Sequence, residues 1–169
     1  MTDNNKLLIL DGHSLAYRAF YALPLLQSAR GQYTNAIYGF TNMLFRLIEE
    51  EKPKYIAVAF DLPAPTFRHK VYSDYKGQRE KAPNEFKEQI PLIKEILMAM
   101  KIEILQKEGY EADDIIGTCC EEAAAKGIES LVVTGDADAF QLISDKVKIA
   151  MTRKGISNVE TFDADNIEK

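Results

Sequence analysis

Apolar residues fall along this chain in two rhythms. One is a set of short, mostly apolar runs of strand length: "LLILD" (7–11), "YIAVAFD" (55–61), "IEILQ" (102–106), "SLVVTG" (130–135) and "KVKIAMT" (146–152). Runs of this length and composition predict strands buried on both faces. The other rhythm is helical. In 35–51, Ile37, Phe40, Leu44, Phe45, Leu47 and Ile48 line one face of a helix, and Pro53 lies just past its end. "SLAYRAFYAL" (14–23) predicts a helix with Ser14 as N-cap and Pro24 closing it. "NEFKEQIPLIKEILMAMK" (84–101) predicts another, capped by Asn84, with a kink or break at Pro91. Residues 109–127 predict a turn and then a helix closed by Gly127. A short helix follows in "ADAFQLI", and a last one begins at Asp163. Residues 62–83 hold three prolines and no clean period, which predicts an exposed, mobile excursion.

Strands that alternate with helices predict an α/β fold: a mostly parallel sheet with helices on both faces. In such sheets, sites form beyond the carboxyl ends of the strands. Acids gather there. Asp11 follows the first strand and Asp61 the second. Glu111, Asp113 and Asp114 stand where the third leads into a helix, and Asp136 and Asp138 follow the fourth, making seven in all. Singly, an aspartate before a helix is an N-cap and one before glycine is turn chemistry. Together they repel, unless some stay protonated or a cation sits among them. Hard oxygen donors suit Mg²⁺, with Mn²⁺ as a substitute, rather than zinc. Two such ions about 4 Å apart would activate a water and stabilise the leaving oxygen of a phosphodiester.

Charge changes the picture once the acids are set aside. The net charge is -5, from 21 basic and 26 acidic residues, which alone argues against a polyanionic partner. The 26 less those seven leave 19 acids against 21 bases, so the rest of the surface is near neutral. Within "TFRHKVYSDYKGQREK" (66–81), Arg68, Lys70, Lys76, Arg79 and Lys81 alternate with Phe67, Tyr72 and Tyr75. Cations grip phosphates and rings stack on unpaired bases, so this segment suits single-stranded nucleic acid. Taken in isolation such a segment is better read as a solvated, charged loop; its place next to Asp61 reverses that preference.

The remaining composition narrows the class. The 169 residues, 46% of them hydrophobic, suffice for one domain with a real core. There is no apolar run long enough to span a membrane and no basic, cleavable leader, so a cytoplasmic protein is expected. Cys119 and Cys120 are adjacent, do not match metal-ligand spacing and are expected to be structural thiols.

Six segments taken in order, "LLILDGHSLAYRAFYAL", "TNAIYGFTNML", "AVAFD", "FRHKVYSDYKGQR", "EGYEADDIIGT" and "VVTGDADAFQL", closely resemble the N-terminal 5′-nuclease domains of bacterial DNA polymerases I, in the flap-endonuclease superfamily. The resemblance runs from about Lys6 to the last residue. It implies a PIN-like fold with a basic arch at about 62–83. It also implies a Mg²⁺-dependent 5′-3′ exonuclease or flap endonuclease, with two ions in the complete domain, acting on DNA with a 5′ flap or 5′ end, or on an RNA primer–DNA hybrid. Asp11, Asp61, Glu111, Asp113, Asp114, Asp136 and Asp138 would be the metal-site acids. Lys76 and Arg79 would steer the scissile phosphate, and Tyr75 would stack on the substrate. Arg18, Arg68, Lys70 and Lys81 would contact DNA, and Thr34 and Asn35 would hold a backbone phosphate at a helix start. Family members continue with two more metal-binding acids and a helix–three-turn–helix motif, so residues 1–169 correspond to the N-terminal part of such a domain. A monomer is expected.

Two other classes compete. "ILDGH" is similar to the start of haloacid-dehalogenase-type phosphatases, but those place an acid where His13 stands here. A fragment that binds nucleic acid and metal without cutting is the second. A dinucleotide-binding dehydrogenase is disfavoured, because no GxGxxG follows the first strand.

Overall fold

The computed structural model describes residues 5–62, 82–152 and 159–167. The expected arch, with Arg68, Lys70, Tyr75, Lys76, Arg79 and Lys81, falls almost wholly outside the described residues. The five expected strands are present as β1 (Lys6–Asp11), β2 (Tyr55–Ala59), β3 (Glu103–Leu105), β4 (Glu129–Thr134) and β5 (Val147–Thr152). They run parallel in the order β3-β2-β1-β4-β5. In register, Leu8 lies between Ile56 and Leu131. A sixth strand, β6 (Val159–Phe162), pairs antiparallel with β5. It was not expected. The predicted helix at Asp163 is instead a turn, in which the Asp163 carboxylate accepts from the Asp165 and Asn166 amides at 3.0 and 3.1 Å.

Helices cover both faces of the sheet, as the alternation of strand residues requires. Leu8, Leu10, Val58, Leu131 and Val133 point to one face. There they pack on α1 (Gly12–Ala22), α2 (Asn35–Glu51), the single turn α3 (Asn84–Lys87) and α4 (Ile90–Ala99). Ile9, Ala57, Ala59, Val132, Ile149 and Met151 point to the other. They meet α5 (Ala112–Ala125) and the 3₁₀ turn Ala137–Leu142. The run 84–101 breaks as expected: Pro91 sits in the first turn of α4, where its missing N–H has no helical bond to lose. Cys119 and Cys120 are free thiols on α5. Burial pushes the Cys120 thiol up to about 11 and raises Cys119 too, with Glu122 adding to it, so neither is primed as a nucleophile. Among the described residues, no helix is long and apolar enough to cross a membrane.

Two of the expected caps are corrected. The helix expected from Ser14 begins at Gly12, and its N-cap is Asp11, which accepts the Ser14 amide at 3.4 Å. Pro83, not Asn84, occupies the N-cap of α3. Gly12 permits the early start, because a Cβ there would lie 2.5 Å from the Phe60 ring.

From β1 the chain builds outward to β2 and β3, then returns to place β4 and β5 on β1's other side. The carboxyl ends of β1 and β4 therefore flank a point where connections leave in opposite directions, which is where open sheets form a crevice.

Candidate metal centre

Asp11 is the last residue of β1 and only 6% exposed. Its Oδ2 accepts the Thr134 hydroxyl at 3.0 Å, across to the last residue of β4. The Thr134 Oγ1 also accepts the Asp136 amide at 3.1 Å. One hydroxyl thus joins the acid of β1 to the turn that follows β4. In that turn the Asp136 carboxylate accepts the Asp138 amide at 3.0 Å, which starts the 3₁₀ turn.

On the other side, Asp61 follows β2 and accepts the Ala112 amide at 2.7 Å, so the end of β2 is tied to the first turn of α5. Glu111 and Asp114 form a capping box at that same helix start, Asp114 accepting the Glu111 amide at 3.0 Å. Asp113 lies between them. Together with Asp138 it lines a small cavity floored by Val132 and Thr134.

These acids feel one another. The Asp11 carboxyl is pushed up to about 7, first by burial and next by the negative charge of Asp113; Asp61 adds a smaller push, while bonds from Thr134 and Ser14 oppose it. Residues 11, 61 and 113, distant in the chain, share one electrostatic field. Among the described residues, however, no three His, Cys, Asp or Glu side chains are drawn in to the spacing at which one ion could be held. Asp61, Asp114 and Asp136 each give an oxygen to a backbone N–H instead. The donors are all carboxylate oxygens, which fits a hard divalent cation.

Three side chains that the sequence did not mark as site residues complete the surroundings. Thr134 is one. His13 is another: its Nδ1 accepts the Asp61 amide at 3.3 Å and its ring meets the Phe60 edge at 5.5 Å between centroids. Burial lowers the His13 pKa; Asp61 works against this and Lys94 with it. A neutral ring is thereby favoured, and its 3.9 Å approach to Asp61 Oδ2 is not an ion pair near neutrality. The third is Ser14, whose Oγ accepts the Gly135 amide at 2.8 Å. Each is a polar residue within three positions of Asp11 or Asp136, and only that proximity could have flagged them.

Arg18 reaches the same turn, donating to the Gly135 carbonyl at 3.5 Å. The expected phosphate seat at Thr34 and Asn35 is filled from within. Asn35 is fully buried, and its Nδ2 donates to the Phe20 carbonyl at 2.9 Å. The amides of Ala36 and Ile37, which would face a phosphate, donate to Gln89 Oε1 at 2.8 and 3.1 Å.

Comparison with known proteins agrees with this architecture. Residues 6–169 match the family described as "5′-3′ exonuclease, N-terminal resolvase-like domain". DNA polymerase I of Bacillus subtilis is 48% identical over 169 residues, covering 100% of this chain and 19% of that protein. A 5′-3′ exonuclease of Aquifex aeolicus is 51% identical over 143 residues, covering 85% of this chain and 50% of that one. The chain thus spans half or less of the length of these relatives. A bacteriophage T5 flap endonuclease, crystallised as a complex with DNA and metal ions, superposes with a TM-score of 0.70 at 17% identity, covering 94% of this chain and 57% of the other. At that identity the likeness speaks for the fold.

Proposed function

Because the chain belongs to the family of 5′-3′ exonuclease N-terminal resolvase-like domains, we propose that it is a Mg²⁺-dependent 5′-nuclease. It hydrolyses phosphodiester bonds at the 5′ ends and 5′ flaps of branched duplex DNA, the chemistry that removes primers and flaps in replication and repair. The observation that carries this reading is the convergence on buried Asp11 of charge from Asp61 and Asp113, with Asp136 reached through Thr134.

Asp11, Asp61, Glu111, Asp113, Asp114, Asp136 and Asp138 would hold Mg²⁺, or Mn²⁺ in its place, with two ions in the complete domain. A divalent cation supplies an activated water and Lewis-acid stabilisation of phosphoryl charge. The charge of Asp113 raises the Asp11 carboxyl, a repulsion that a bound divalent cation would relieve. Arg18, which donates to the Gly135 carbonyl, would meet a strand phosphate. Lys76 and Arg79 steer the scissile phosphate and its developing charge. Tyr75 stacks on a base, while Arg68, Lys70 and Lys81 grip the backbone. The T5 relative's complex with DNA and metal ions supports both partners.

The test is cleavage of a 5′-flap DNA duplex with Mg²⁺ and with excess EDTA. Shortened product in Mg²⁺ alone is expected. Hydrolysis of a small phosphomonoester but not of the duplex would transfer the site to phosphatase chemistry. Binding without cutting in Mg²⁺ would leave a nucleic-acid-binding domain.

A further inference from the structure

The first turn of α1 touches three strand ends at once. Asp11 caps the turn by accepting the Ser14 amide. His13 reaches sideways to the end of β2, where its Nδ1 accepts the Asp61 amide at 3.3 Å. Ser14 reaches the opposite way, to the end of β4, where its Oγ accepts the Gly135 amide at 2.8 Å. The fit at Gly135 is close: a Cβ there would lie 3.0 Å from the Arg18 guanidinium, 3.1 Å from Ser14 Oγ and 3.1 Å from Thr152 Oγ1. The backbone of this turn is therefore pressed against α1 rather than loosely draped over it. Asp136 is the very next residue.

We propose that His13 and Ser14 are positioning residues: adjacent side chains on one helical turn that set the spacing of the acid rim by holding the Asp61 and Gly135–Asp136 backbones at fixed distances from Asp11. This rests on the nuclease reading above for its consequence, though not for its geometry. The physical case is one of shared reference. Each acid hangs on a different strand end, and backbone errors at separate loops would add independently. Anchoring two of those loops to the helix that the third acid caps makes one rigid element the common ruler. Carboxylates that repel one another gain from such a device, which adds to the Thr134 and Ala112 bonds already tying these strand ends together. Among the described residues the Ser14 and His13 side chains bond backbone amides, and His13 stays 3.9 Å from the Asp61 carboxylate, so they act on where the acids stand and not on the reaction itself.

The test uses Ser14→Ala and His13→Ala, with Ser14→Thr and His13→Asn as variants that restore an acceptor in place. Amide hydrogen exchange in the cation-free protein reports the geometry directly. Ser14→Ala should speed exchange at Gly135 at least tenfold with Asp61 unchanged, and His13→Ala should do the converse. In Mg²⁺, each alanine variant should lose tenfold or more in kcat on a 5′-flap duplex, with KM within about twofold. Mn²⁺ affinity by calorimetry should weaken in parallel, and the acceptor-restoring variants should recover most of each loss. If exchange at Gly135 and Asp61 is unmoved, or if kcat and Mn²⁺ affinity stay at the wild-type level, the proposal is wrong. A rise in KM alone would also overturn it, making these residues DNA contacts. Wild-type protein that fails to cut in Mg²⁺ would overturn the nuclease reading instead, and the exchange pattern would still decide the positioning role.

Discussion

Thr134 and Asp11, the last residues of neighbouring parallel strands, are joined by a 3.0 Å hydrogen bond from hydroxyl to carboxylate. The bond is buried, so it helps decide whether the most desolvated acid of the rim carries its charge. It also serves the next turn, since the same oxygen accepts the Asp136 amide. Thr134→Val keeps the shape and removes both roles. Losing a hydrogen bond while leaving a buried partner unmet should destabilise the protein by about 1–3 kcal/mol. Urea unfolding with and without the substitution checks this.

Asp11 makes the cation-free protein sensitive to pH. Its carboxyl titrates at about 7 in the fold against a reference value of 3.8, so the folded state holds this proton more tightly than the unfolded chain does. The stability linked to it is complete below the unfolded value and disappears as pH rises through about 7. Asp11→Asn should thus stabilise the cation-free protein at pH 8, on the order of 2–4 kcal/mol, and do little at pH 3.5. Thermal melts in EDTA at both pH values would show it. Equal gains at the two would mean that charge is not the cause.

Asp113→Ala and Asp136→Ala should each abolish flap cleavage. The loss should exceed about a hundredfold in kcat, on the scale of removing a principal electrostatic group. Neither should unfold the protein, and in EDTA Asp113→Ala should be as stable as wild type or slightly more so, because one repulsion on Asp11 is gone. Circular dichroism melts run beside the cleavage assay separate the two effects. Cleavage at the wild-type rate would show that the site lies elsewhere.

Gln89 is the most heavily used buried side chain on the opposite flank. Its Oε1 caps the Ala36 and Ile37 amides of α2, and its Nε2 donates to Asn35 Oδ1 at 3.0 Å and to the Glu85 carbonyl at 2.9 Å. Gln89→Leu leaves several buried groups unmet and should lower stability by about 3 kcal/mol or more. The fall in urea midpoint measures it.

Much of this architecture was legible because it is written locally. Runs such as "LLILD" and "SLVVTG" mark strands by composition alone, and the period of Ile37, Phe40 and Leu44 marks α2. Pro91 marks the break between α3 and α4. The acids were legible as candidates because each follows a strand or opens the helix after one. What was hidden depends on partners far along the chain. Gln89 caps a helix that begins more than fifty residues before it, and nothing near Asn35 announces that its helix start is already satisfied. Ser14 was expected as an N-cap because serine before a helical run usually is one. Here the preceding aspartate takes that role, since Gly12 lets the helix start earlier under Phe60, and the serine oxygen is released for Gly135. β6 escaped because four residues, two of them polar or charged, carry too little pattern to identify an edge strand.

The two outer strands have a consequence for handling the protein. Sheet edges invite other chains to add on, and long, flat, apolar edges do so most readily. Here β3 offers only three residues, the first of them the exposed Glu103, with the exposed Lys101 just before it. At the far side, β6 is four residues long and turns Glu160 and Thr161 to solvent. Both margins are brief and carry exposed charge, which disfavours cross-β growth, so concentrated stocks should resist fibril formation even when the acid rim is stripped of cations.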